Sequence, residues 1–261
     1  MSLLLVLDSP ASGGGGSNWP LAPLFAVGGR TGAVFAFDDL SLVTTNGVTP
    51  VSAPDDPIGQ MDNQWTGRTY SVTASSTARP TYKVDGNGLG YARFDGVDDQ
   101  LKKLASSVVG TSNDVTIAFA YAPRSASGVK IPFANRGSSQ CWPQLYSADA
   151  SAYAYWVGSI GYATSGLGFS FTANSKIVLT LTKRGAVFTV RVNGAQVMSQ
   201  TVAGQDPLTE SVDFTIGSVL VETGYFADID FYAVGAISGA LSASELTTLE
   251  TWAADRIGVT L

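Results

Sequence analysis

The chain contains no histidine among its 261 residues. That removes the commonest general base near neutral pH, the commonest zinc ligand and the partner that activates Ser or Cys in most triads. Cysteine occurs once, at Cys141. No disulfide can therefore close within the chain, and a bridged secreted framework is excluded. A solitary thiol of this kind reads as a small, half-buried hydrophobe rather than a nucleophile. Charge is also scarce, at 14% of residues. The 15 Lys and Arg are scattered without a run, and the net charge is −6. This argues against nucleic acid as a partner, because phosphate backbones are met by clustered cations. No apolar run approaches the ~18 residues of a membrane span, so membrane insertion is not expected. Nothing in the chain calls for a cofactor.

Glycine is abundant, at 29 residues. With so little charge, polar cover has to come from Ser, Thr, Asn and Gln. The balance suits Thr- and Val-rich strands joined by Gly turns. The length admits one large all-β domain or two small ones, and it is enough to bury a sizeable core.

Leu3, Leu4, Leu5, Val6 and Leu7 form an apolar run without a positive flank, ended by Asp8. No small-residue cleavage site follows, so the run does not read as a signal peptide. It resembles a strand without a local partner. Residues 9–17 follow as a Gly- and Ser-rich tether. Such an arm suits docking onto another chain by strand addition. The alternative is that it folds back onto an edge of its own domain.

Tyr91 to Leu101 is the organising stretch. Tyr91, Arg93 and Asp95 alternate with Ala92 and Phe94 at strand period. Asp95-Gly96 is a turn dipeptide, with Asp98 and Asp99 beside it and Leu101 returning to the interior. This Phe-Asp-Gly-x-Asp-Asp stretch resembles the one that opens laminin-G-like, concanavalin A-like jelly rolls. Thr49 to Gly59, with Pro50, Pro54 and Pro57, is similar to a leader that precedes such domains in virion proteins of tailed bacteriophages and prophages. Ala74 to Tyr82, with Arg79-Pro80, matches the end of that leader, and Asp62 to Gly67 matches its middle in part.

Further strands follow at jelly-roll spacing. They are expected at Val115–Tyr121, Ile131–Asn135, Ile177–Thr182, Ala186–Val192, Ala195–Val202, Phe214–Ser218 and Phe226–Val234. Pro132 places the second of these near an edge or a bulge. Asn193-Gly194 between alternating strands is a strong hairpin signal. Ser242 and Glu245 form a capping box for a closing helix, with Leu246, Leu249, Trp252 and Ala253 on one stripe and Gly258 as the stop. The helix start is again similar to the phage proteins. The expected fold is all-β, a two-sheet antiparallel jelly-roll sandwich with one C-terminal α-helix. Residues 1–18 form the arm and linker, and 19–261 a single domain. Within it, 19–82 wraps the sandwich and adds one or two strands, 83–237 is the core and 241–258 the helix.

Catalysis by a glycosidase of this fold needs paired carboxyls ~5–5.5 Å apart. The only comparable spot is Asp228 and Asp230, with Tyr232 and Val234 where a further Glu would stand, so no enzyme activity is expected. Asp95, Asp98 and Asp99 are the weak candidates for calcium, which takes six to eight oxygens. The preferred reading is that they bond to nearby backbone N–H groups, with no metal. Aromatic residues gather between Trp142 and Phe171. Trp142, Tyr146, Tyr155 and Trp156, with Asn135 and Gln144, are the candidate carbohydrate-binding residues, because rings pack on sugar C–H faces and amides reach hydroxyls. About half of the rings in the stretch are expected to fill the core instead. The resemblance implies a virion structural protein, as a capsid decoration, fibre or tail-tip component. It would sit on the virion surface, be made in the host cytoplasm, and display the jelly roll to host or environmental glycans. Its expected partners are other virion proteins through Leu3–Leu7, glycans, and further copies of the chain. The alternative is a stand-alone lectin-like module, and behind it a glycan-cleaving enzyme.

Overall fold

The computed structural model describes residues 19–65, 70–103, 109, 112, 114–125, 130–136, 141–148, 151–158, 161–170, 172–201, 213–218 and 225–261. It gives the backbone alone for 130, 131, 135, 136 and the strands between 141 and 170. The arm expected at 1–18 lies outside the described residues.

Strands β1–β17 form two antiparallel sheets. The first runs β15 (Ala195–Thr201), β14 (Val187–Val192), β13 (Ile177–Arg184), β8 (Val115–Pro123), β17 (Asp228–Ser238), β6 (Gly90–Asp95) and β5 (Thr81–Val84), with β1 (Gly32–Ala36) also paired to β17. The second runs β12 (Gly161–Ser170), β11 (Ser151–Gly158), β10 (Cys141–Ala148), β9 (Lys130–Arg136), β16 (Asp213–Ile216), β7 (Leu101–Lys103), β4 (Ser71–Thr73), β3 (Gln60–Asp62) and β2 (Val43–Thr44). This is the two-sheet jelly-roll sandwich with a C-terminal helix that the alternation predicts.

Strand β8 shows why the chain layers this way. Ile117, Phe119 and Tyr121 enter the core between the sheets, while Ala118 and Ala120 face the other side. Phe119 and Phe231 of the first sheet meet Phe133 and Phe214 of the second. The Phe119–Phe231, Phe119–Phe133 and Phe133–Phe214 centroids are 5.4, 5.5 and 5.7 Å apart. Each such ring contributes ~1.5–3 kcal/mol by leaving water.

The small residues on the far side of β8 admit a third layer. Helix α2 (Ala243–Ile257) buries Leu249, Trp252, Ala253 and Ile257 against Ala118, Ala120 and Val178. Its capping box is formed: Ser242 Oγ accepts from Glu245 N, and Glu245 accepts from Ser242 N. Gly258 ends it in the left-handed region at φ 71°. A short helix α1 (Ala22–Ala26), not foreseen, places Leu24 and Phe25 in the same layer. The Asn193-Gly194 turn joins β14 to β15 with φ of 45° and 77°, the positive pair that a tight hairpin of this kind requires.

The segment before residue 82 contributes β1, β2, β3 and β4, more than the one or two strands expected. Strands β2, β3 and β4, of two or three residues, carry too little alternation to be read from sequence. Strand β17 is the hub. Its residues 228–231 pair with β6 and 233–237 with β1, while β8 runs along its other edge. A register shift at Tyr232 marks the change of partner. Tyr232 and Ala233 consequently both lie in the helix-side layer, and Val234 returns to the inter-sheet core. The strict alternation that puts Val234 on the face of Asp228 and Asp230 is therefore corrected by a bulge.

Candidate functional site

Asp228 and Asp230 stand on the helix-side face of β17, at positions that β6 and β8 flank. Asp230 lies opposite Arg93 in register and receives two bonds from it, Nε to Oδ1 at 2.8 Å and Nη2 to Oδ2 at 2.9 Å. Arg93 Nη2 also donates to Tyr91 Oη at 3.0 Å. Arg124 Nη1 donates to Asp228 Oδ1 at 2.9 Å. Both carboxylates are thus held by guanidinium groups. Nearby, Tyr91 stacks on Tyr232 at 5.1 Å, and Lys176 lies over the Tyr232 ring while its Nζ bonds Asp85. Burial raises the pKa of both phenols above the usual tyrosine value. The ensemble is a charge-balanced lattice on a sheet face.

Asp95, Asp98 and Asp99 bring carboxylate oxygens within 4.8 Å of one another. Two of the three carboxylates close the turn. Asp95 Oδ1 accepts from Val97 N at 2.8 Å and Asp98 N at 3.3 Å, and Asp99 Oδ2 accepts from Asp95 N at 2.9 Å. Asp99 is buried, and that burial pushes its carboxyl up to about 6 against the opposing bond from Asp95 N.

The aromatic stretch occupies β10, β11 and β12, at one end of the nine-stranded sheet. Its register sorts the candidate residues. Phe133, a core residue, is paired to Leu145, which is paired to Ala154. Trp156 and Asn135 share that parity, on the core face of the sheet. Gln144, Tyr146 and Tyr155 have the opposite parity, with Gln144 paired to Tyr155 and Tyr146 to Tyr153. Trp142 falls inside a register shift between Cys141 and Gln144, where Pro143 interrupts the ladder. The six candidates are therefore not one cluster: three share a face, two lie on the reverse, and one sits in the bulge. One step inward on the face of Gln144, Ala134 and Thr215 are buried, and Thr215 Oγ1 donates to Ser218 O at 2.6 Å.

Two features escaped the sequence reading. Trp19, Phe25 and Trp65 form a near-parallel ring cluster, with Phe25 and Trp65 at 4.6 Å and Trp19 at 5.9 Å from each. A cleft of about 480 Å³ is lined by Gly28 to Thr31, Val109, Ser112, Ser238 and Gly239. Neither has a periodic signal, because each joins segments distant in the chain.

No protein-family model matches the sequence, and no curated protein does. The likeness is to solved structures. Domain 4 of AbnA, a GH43 extracellular arabinanase from Geobacillus stearothermophilus, was solved in complex with arabinotriose. It matches with a TM-score of 0.56 at 15% identity, over 84% of this chain and 98% of that one. Trypanosoma rangeli sialidase matches with a TM-score of 0.56 at 13% identity, over 84% of this chain and 32% of that one. The Botulinum neurotoxin serotype D ligand binding domain, in complex with N-acetylneuraminic acid, gives 0.50 at 11% identity, over 75% of this chain and 50% of that one. The chain spans about half the length of the toxin binding domains it matches and nearly all of the arabinanase domain. At these identities the likeness establishes the fold.

Proposed function

We propose that this chain is a non-catalytic glycan-binding module, a lectin-like jelly roll. The observation that carries the reading is the domain-for-domain match to arabinanase domain 4, a unit solved with an oligosaccharide bound. The uncharged, aromatic-rich end of the second sheet supplies the chemistry that pyranose and furanose rings require. The pairing of Asp228 and Asp230 with arginines supports the non-catalytic part, because a glycosidase needs one carboxyl free to donate a proton. The test is a glycan array probed with the full chain. Saturable binding without cleavage supports the reading, and absence of binding to every glycan overturns it. Hydrolysis that vanishes in Asp228→Asn or Asp230→Asn overturns the non-catalytic part.

The setting on a phage virion surface rests on the sequence resemblance of Thr49–Gly59, Ala74–Tyr82 and Leu241–Leu246. In that setting Leu3–Leu7 anchors the chain to another virion protein or a neighbouring copy, and the jelly roll serves adhesion. Deleting residues 1–12 then leaves melting unchanged and abolishes incorporation into particles. Normal incorporation of the truncated chain removes the anchor.

A further inference from the structure

Tyr146 and Tyr153 are direct partners across β10 and β11. Tyr155 stands two residues on from Tyr153, paired to Gln144 on one side and Thr164 on the other. Tyr162 stands two residues before Thr164, paired to Val157. Partnered positions share a sheet face and so do positions two apart. Four tyrosines, a glutamine and a threonine therefore belong to one face of three adjacent strands. That face is the reverse of the one carrying Leu145 and Ala154, which pair toward the core residue Phe133. The register thus separates these tyrosines from the rings that fill the sandwich.

We propose that this tyrosine face binds a neutral, extended oligosaccharide of two to three sugar units, and that it is the site through which the glycan-binding module acts. The inference rests on that functional reading and adds the place and the ligand class. Strand spacing sets the size of the face. Two inter-strand gaps of ~4.8 Å give about 10 Å across, and the four-residue step from Tyr153 to Val157 gives about 13 Å along. This is the footprint of a short sugar ribbon laid on a sheet, larger than one ring. Charge decides the class. Strands β10, β11 and β12 contain no Asp, Glu, Lys or Arg. The sheet's nearest cations, Lys130 and Arg136, stand on β9 against Ser147 and Cys141, beside β10 rather than among the tyrosines. A sialic or uronic carboxylate laid over β11 and β12 would therefore lose its water without a cation on those strands. A neutral sugar gives up only C–H faces to rings and hydroxyls to Tyr, Thr and Gln. Asn135 and Trp156, on the opposite parity, are excluded from the site.

The experiment uses the full chain and the best-binding neutral oligosaccharide from the array, with its mono-, di- and trisaccharide forms and a sialylated analogue. Thr is substituted because it suits a strand without supplying a ring. The Tyr146→Thr/Tyr155→Thr double variant is expected to keep its melting temperature and to bind about tenfold more weakly, given what each aromatic contact is worth. Trp156→Ala is expected to lower the melting temperature. Affinity is expected to rise from mono- to trisaccharide and to fall for the sialylated form. Unchanged affinity in the tyrosine variant, while the unaltered chain binds, overturns this face and leaves the glycan reading standing. A double variant that unfolds places the tyrosines in a core and also overturns it. Absence of binding by the unaltered chain removes the reading and this site together.

Discussion

Arg30 and Glu245, 215 positions apart, join through two bonds, Nη1 to Oε1 at 2.6 Å and Nη2 to Oε2 at 3.1 Å. Arg30 also donates to Leu24 O at 3.0 Å and Ala240 O at 2.6 Å. Glu245 is at the same time the capping-box glutamate of α2, accepting from Ser242 N at 2.7 Å. One ion pair therefore ties the segment before β1 to the start of the closing helix.

The first prediction concerns that carboxylate. The Arg30 guanidinium, and after it the Ser242 N–H, hold Glu245 down at about 2. A depressed acid contributes stability that is present above its unfolded value near 4.5 and is lost as pH falls toward 2. Solvent screening limits the contribution to ~1 kcal/mol. Glu245→Gln keeps a cap acceptor but not the charge, so its denaturant midpoint should fall at pH 7 and match the unaltered chain near pH 2. An equal gap at both pH values contradicts the pairing.

Asp99 predicts a limb of the opposite sign. Its folded carboxyl titrates at about 6 because it is buried. A raised acid contributes stability that is complete below its unfolded value near 3.8 and is lost as pH rises through 6. The loss is of order 1–3 kcal/mol between pH 4 and pH 7. Asn retains an oxygen for Asp95 N, so Asp99→Asn should flatten this limb in urea titrations at pH 4, 5, 6 and 7. An unflattened slope refutes the assignment.

Gly235 sets how closely α2 lies on the sheet. A Cβ there would stand 2.8 Å from Leu249 Cδ1 and 3.3 Å from Trp252 Cζ3. Gly235→Ala should cost ~1–3 kcal/mol by overpacking. At Gly28 nothing lies within 4 Å of such an atom. Gly28→Ala should therefore melt within about a degree or two of the unaltered chain. Equal melting of the two variants contradicts the close helix packing.

Asp230 is the more enclosed of the two β17 carboxylates, with its side chain 12% exposed against 25% for Asp228. Asp230→Ala strands the Arg93 guanidinium and should cost ~1–3 kcal/mol. Asp228→Ala should cost less. Thermal melting of both variants checks the order.

Legibility followed the length and locality of each signal. The β8 alternation, the Asn193-Gly194 turn and the Ser242–Glu245 box are contained within a few residues, and each reads directly from the chain. The β1–β17 pairing brings Phe35 opposite Val234, and no local pattern encodes such a distant partner. The bulge at Tyr232 reverses face parity in mid-strand, so alternation misplaced Val234. Arg93 and Asp230 are likewise 137 positions apart and meet only once β6 and β17 pair. For the candidate site, the aromatic-rich stretch was legible as composition. The opposite parity of Tyr155 and Trp156 follows from their adjacency on one strand, whereas grouping Tyr146 and Gln144 with Tyr155, and Asn135 with Trp156, needed the register between strands.

The most direct test of the glycan-binding claim is a titration of the isotope-labelled full chain with neutral oligosaccharides, followed by amide resonances. The account predicts saturable, fast-exchange shifts concentrated in residues 141–166, with a dissociation constant in the range of about 10 μM to 1 mM, or roughly −4 to −7 kcal/mol. Spectra unchanged by every oligosaccharide at saturating concentration would contradict it.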